Sequence, residues 1–104
     1  MPRYLIDVPH SADPIACARV VQVFLSSGSH FLTHADWGCK DGDHRAWITV
    51  EVDSKADALT IVPPAFRADA RIVTLTRFTM EEIDAVFERH RRKQNASSQG
   101  DGPR

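Results

Sequence analysis

The tetrapeptide Lys40-Asp41-Gly42-Asp43 constrains this chain's fold more than any other feature. Asp41-Gly42 suits the centre of a two-residue type I′ turn, where both backbone positions are left-handed and Asp and Gly are favoured. The flanking residues 30–39 and 44–53 are rich in strand formers and therefore predict the two arms of a hairpin. Counting outward from the turn opposes Cys39 to His44, Trp37 to Ala46, Ala35 to Ile48, Thr33 to Val50 and Phe31 to Val52, a mostly apolar face. The other face sets Asp36 against Trp47, His34 against Thr49, Leu32 against Glu51 and His30 against Asp53, and it is mostly polar. A slip of one residue would scramble this sorting, so turn chemistry and hydrophobic pattern support one register.

Signals on either side of the hairpin supply the remaining elements. Residues 3–9 (RYLIDVP) alternate as a strand, with Tyr4, Ile6 and Val8 on one face and Arg3, Leu5 and Asp7 on the other. Asp13-Pro14 starts a helix over about 13–27: the carboxylate caps free amides, proline fits the first turn, and Gly28 ends it. Ser11 is a competing cap. Cys17, Val20, Val21, Phe24 and Leu25 form the apolar stripe of that helix. Ser54 and Asp57 open a short helix that Pro63-Pro64 must stop. Residues 71–78 (RIVTLTRF) make a fourth strand. Thr79 with Glu82 then caps a last helix through Ile83, Val86, Phe87 and His90, ending near Lys93. Residues 94–104 are polar and rich in Ser and Gly, which predicts a disordered tail.

A chain of 104 residues with 42% hydrophobic and 26% charged positions supports one folded core, here residues 1–93, and excludes disorder as its general state. Thirteen basic residues against fourteen acidic ones give no electrostatic reason to bind nucleic acid. The run Arg89-His90-Arg91-Arg92-Lys93 is accounted for as positive charge near a helix C-terminus. Two cysteines cannot build a disulfide scaffold, and no apolar run approaches the roughly 20 residues of a membrane span. With Asp7 reached too early for a signal peptide, the expectation is a cytoplasmic protein without a membrane partner.

The order β-α-β-β-α-β plus a terminal helix predicts an α+β fold of the split, ferredoxin-like kind, a four-stranded antiparallel sheet with helices on one face. Its open face would carry Asp7, His34, Asp36, Trp47, Thr49 and Glu51, with Leu5 and Leu32 among them. Leucines and a tryptophan among carboxylates suit a semi-enclosed wet cavity better than a solvated face or a dry core. The strand RYLIDVP, the polar strand HFLTHADW and the strand WITVEVDS leading into a short helix together resemble the dimeric α/β-barrel superfamily, and within it the small nickel-binding proteins. That resemblance covers about residues 3–92 and implies a homodimer whose open sheet faces enclose a cavity for a metal ion or small ligand.

Two constellations on the hairpin could carry chemistry. His34 on the polar strand face, with Asp36, Glu51 and Asp7 converging and Trp47, Thr49 and Leu32 as walls, could act as a general base or as a ligand. An isomerase or monooxygenase-like enzyme would use it in the first way; a polar dimer seam, in a non-catalytic interaction module, is the alternative. Five metal-capable residues, His30, His34, Asp36, Cys39 and His44, fall within fifteen positions. Of these His34 and Asp36 share one face, while Cys39 and His44 sit opposite each other on the other face as a two-ligand half-site for another segment to complete. His10, just after the first strand, is a further candidate ligand or proton donor. A divalent transition metal, nickel or zinc, is the expected cofactor of either set.

Overall fold

Strand β1 (Arg3–Pro9) holds the centre of the sheet, pairing antiparallel with β3 (Arg45–Glu51) on one side and β4 (Arg71–Leu75) on the other. The structure, a computed structural model, describes the backbone of residues 1–101 and the side chains of residues 1–95. A two-residue strand β2 (Asp36–Trp37) pairs with β3, giving the order β2-β3-β1-β4. The helices are α1 (Pro14–Ser26), a short α2 (His30–Thr33), α3 (Lys55–Ile61) and α4 (Met80–Asp101), and single 3₁₀ turns occupy Cys39–Asp41 and Pro64–Phe66. A four-stranded antiparallel sheet with helices is compatible with a ferredoxin-like α+β fold. The chain departs from a plain β-α-β-β-α-β order through α2 and the brevity of β2.

The core follows from the alternation in β1 and β3. Tyr4, Ile6 and Val8 meet Val50, Ile48 and Ala46 across the ladder, all on the face that Val20 and Phe24 of α1 cover. Burying each such side chain contributes on the order of 1.5–3 kcal/mol, which is what fixes strand register against slippage. On the opposite face Trp47 is half-buried and Thr49 and Glu51 are exposed, as the two-fold period requires. The caps also form where the sequence puts them. Asp13 accepts the Ala16 amide at 2.9 Å, Ser54 the Asp57 amide at 3.1 Å, and Thr79 the Glu82 amide at 3.2 Å.

The expected strand over residues 30–39 is corrected. Ser29 caps a helical turn instead, its hydroxyl accepting the Leu32 amide at 3.3 Å, and pairing begins only at Asp36. Within that turn Leu32 alone is buried, so it joins the core and not the open face, while Thr33 and His34 are exposed. Local capping outweighs the strand propensity of HFLT because one buried leucine can anchor a turn without any partner strand.

The register of the hairpin nevertheless agrees with the turn-based count: Trp37 faces Ala46 and Asp36 faces Trp47. The connection is wider than a two-residue turn, with Gly42 left-handed (φ 84°) after the 3₁₀ turn. At the sheet's far edge β4 stops at Leu75, leaving Phe78 70% exposed. Helix α4 carries helical backbone to Asp101, past Lys93 where its apolar period ends. Of the residues expected to form a disordered tail, 102–104 lie outside the described residues.

Gly38 is where hairpin and sheet approach most closely. A Cβ there would lie 2.6 Å from the Asp43 carbonyl oxygen and 2.6 Å from the Trp47 ring, neither of which can swing away cheaply. Gly38→Ala is therefore expected to cost about 1–3 kcal/mol, whereas Gly42→Asn, whose side chain enters open space and tolerates the left-handed region, should cost less. Thermal unfolding checks this: at roughly 4–8 °C per kcal/mol the Gly38 variant must melt clearly below the Gly42 variant.

Candidate metal centre

Two ladders and one helix bring four donors to one end of the sheet. Past its last paired residues, Pro9 and Arg45, the β1–β3 ladder continues into a bond from the His10 amide to the His44 carbonyl (3.0 Å), which makes these histidines cross-strand neighbours. The β2–β3 ladder ends at Trp37–Ala46, one further bond joins the Gly38 amide to the Arg45 carbonyl, and the 3₁₀ turn that follows starts at Cys39 and brings it near His44. Helix α1 crosses that end with Cys17 one turn before Val20 and two turns before Phe24, on the same buried stripe. The ligand atoms of His10, Cys17, Cys39 and His44 all lie within 4.8 Å of one another, the one such group among the described residues.

The distances centre on His10. Its Nε2 lies 3.3 Å from Cys17 Sγ and 3.2 Å from Cys39 Sγ. With bonds of about 2.0–2.3 Å, donors on a tetrahedral zinc ion stand roughly 3.3–3.8 Å apart, so a small contraction or expansion of this group suffices. Trp37 and His44 each stack edge-on against the His10 ring with centroids 5.6 Å away, and Phe24 packs on Trp37 at 5.0 Å. Those contacts fix the imidazole planes. A groove lined by Val21, Ala35, Asp36, Trp37, Cys39 and Lys40 borders the cluster at Cys39.

Electrostatics leave the donors unsatisfied. Nδ1 of His10 and Nδ1 of His44 are buried and lack hydrogen-bond partners among the described residues. Orphaned polar atoms of this kind are uncommon and usually have a reason. Both cysteines are free thiols and half-buried. Burial above all pushes the Cys39 thiol up, and its contact with Cys17 pushes it further, because two thiols at this range cannot both ionise cheaply. Burial also pulls His10 down from the usual histidine value, opposed by the Val8 backbone and reinforced by the charge on His44. A cation held by Nε2 of His10 and the two sulfurs would favour thiolates and a neutral imidazole, although it would not reach Nδ1 of the same His10 ring.

Of the other residues singled out in the sequence, His30 and His34 lie off the sheet. His34 caps the end of α2, exposed, with Nδ1 2.7 Å from the His30 carbonyl, and the His30 and His34 rings stack with centroids 4.4 Å apart. It leaves the sheet face because residues 30–33 coil, so Thr49 is not its neighbour. Asp7, Asp36, Trp47, Thr49 and Glu51 do share the open face, Asp7 across from Trp47 and Trp47 across from Asp36. Asp7 is buried there and bound to Arg45 at 2.9 Å, an ion pair that anchors the start of β3. Cys39 and His44 are thus joined by His10 and Cys17, while His34 and Asp36 stand outside the cluster. Cys17 is the candidate donor that the sequence placed only in a hydrophobic stripe. Its spacing of seven from His10 across a capped helix start was the available signal. Comparison with protein-family models, curated proteins and solved structures returns no match.

The lowered His10 value carries a pH dependence for the metal-free protein. Below about pH 6.5 the unfolded chain takes up a proton that folded His10 resists, so stability is present above that pH and falls as pH drops toward the folded value. Urea unfolding of metal-free protein from about pH 7.5 down to 5 should show this loss, and His10→Gln should flatten it.

Proposed function

We propose that this protein binds one zinc ion per chain through His10, Cys17, Cys39 and His44. The observation that carries this reading is the mutual approach of four soft or borderline donors from four separate segments within 4.8 Å. Two thiolates and two imidazoles with no carboxylate are the donor set of closed, tetrahedral zinc sites, which hold structure and leave no position for substrate. Nickel is the competing ion, since it accepts the same ligands and lies near zinc in intrinsic affinity. Such a centre would tie the first turn of α1 to the β2–β3 connection and to the end of β1. A reducing compartment such as the cytoplasm suits the reading because the thiols must stay reduced.

A dithiol–disulfide pair of Cys17 and Cys39 is the second reading, favoured by their contact and free state. Metal analysis of protein purified without an affinity tag separates the two. One equivalent of zinc, and a cobalt-substituted form with thiolate charge-transfer absorption, support the metal centre; metal-free protein in which both thiols are oxidised on isolation overturns it.

Ligand substitutions give the quantitative prediction. Cys39→Ser and His44→Ala should each weaken zinc binding by roughly 100-fold or more, and His34→Ala should leave it unchanged. Zinc at a thousandfold excess over its Kd should stabilise the wild-type fold by about 4 kcal/mol, seen as a rise in Tm that Cys39→Ser cuts to about a third or less at the same zinc concentration. Binding must release protons from the thiols, so affinity should rise with pH across the neutral range.

A further inference from the structure

Helix α4 projects from the body of the protein. It makes no more than fringe contact with any other element, and the molecule extends 65 Å in its longest dimension with a radius of gyration of 20.9 Å, against about 13 Å for a compact chain of this length. The helix is not polar all round. Ile83, Val86, Phe87 and His90 follow the three- and four-residue spacing of one stripe, with Met80 beside it. Met80 is 73%, Val86 49% and Phe87 61% exposed. In proteins most helical stability comes from packing an apolar face, so a polar helix that stands off the body leaves this stripe without its packing partner.

The charges flanking the stripe specify what covers it. Acidic residues Glu81, Glu82, Asp84 and Glu88 fill the first half, and Arg89, His90, Arg91, Arg92 and Lys93 follow. A parallel pair of these helices would set like charge beside like charge, whereas an antiparallel pair sets each half against its opposite. At 100° per residue, Asp84 and Arg91 lie on one edge of the stripe and Glu82 and Lys93 on the other. Antiparallel helices related by a two-fold axis bring equivalent edges together. An axis between Phe87 and Glu88 then opposes Asp84 to Arg91 and Glu82 to Lys93 of the second copy, with Val86 and Phe87 packed at the centre. Both edges choose the same axis independently. Glu88, which holds Arg91 at 3.5 Å and Arg92 at 3.4 Å within its own helix, sits at that axis on the outer side and is not displaced.

We infer that α4 is a self-association helix, pairing antiparallel with α4 of a second copy of this chain through the stripe from Ile83 to His90. The seam lies on α4 and is separate from the zinc centre, so neither depends on the other. Pairing also accounts for the extended shape, since each α4 supplies the missing packing partner of the other.

Sedimentation equilibrium on the full chain tests this with two charge-reversed proteins. One carries Glu82→Lys with Asp84→Arg, the other Arg91→Asp with Lys93→Glu. Alone, each should dimerise roughly tenfold or more weaker than wild type, because both edges now repel. Mixed in equal amounts they should form a heterodimer about as tight as the wild-type dimer, since all four opposed pairs become attractive again. Phe87→Asp should be monomeric with an unchanged zinc content. A wild-type monomer at micromolar concentration overturns the proposal, as does a dimer indifferent to charge reversal or a mixture that fails to recover. Retained helicity by circular dichroism in each variant excludes loss of the helix as the cause.

Discussion

The pairing of β1 on both of its edges is the constraint on which the rest of the structure depends. A strand hydrogen-bonded on two sides can bury one face completely, and Ile6 and Val8 are fully buried. Because β1 and β3 are locked in one register, the residues just beyond their paired ends are locked too. The bond from the His10 amide to the His44 carbonyl is that ladder carried one step further, not a separate loop contact. The candidate metal centre therefore inherits its precision from the sheet, as a site supported by rigid elements should.

The same end of the sheet explains why the donors are poised but unsatisfied. Phe24 packs on Trp37, Trp37 packs on the His10 ring, and the Nδ1 atoms of His10 and His44 are buried. Desolvation then favours the neutral thiol of Cys39 and neutral His10. Such a group of buried polar atoms costs stability unless something completes it, so the core and the centre are energetically opposed in the absence of a cation and mutually supporting in its presence. At the open face buried Asp7 binds Arg45 through Oδ2, and Arg45 also reaches Asp43 at 3.2 Å, while Asp7 Oδ1 has no hydrogen-bond partner among the described residues.

Much of this was legible in the sequence where the signal is local. The caps at Asp13, Ser54 and Thr79, the halt at Pro63-Pro64 and the strand of residues 3–9 each depend on chemistry within a few positions, and each forms. The pairing of Trp37 with Ala46 also agrees with the hydrophobic sorting of the two arms, although the connection between them is wider than the two-residue turn expected. Residues 30–34 failed that approach because Ser29 offered a competing local hydrogen bond, and a single cap moved His34 from mid-strand to an exposed turn. With His34 went the geometric basis for a base flanked by Asp7, Asp36 and Glu51.

By itself the sequence determined most of the strands and helices, and it named Cys39 and His44 as two donors near one turn, since both flank the Lys40-Asp41-Gly42-Asp43 connection. Only the tertiary structure decided what completes that pair. The antiparallel register of β1 on β3 spans more than thirty residues of intervening chain, and no local signal distinguishes it from a shift by two, which would keep the same faces buried but carry His10 away from His44. The packing angle of α1, which sets Cys17 over the sheet end, likewise emerges from how Val20 and Phe24 seat against the core. Donor identity is written locally, but donor convergence is a property of long-range packing.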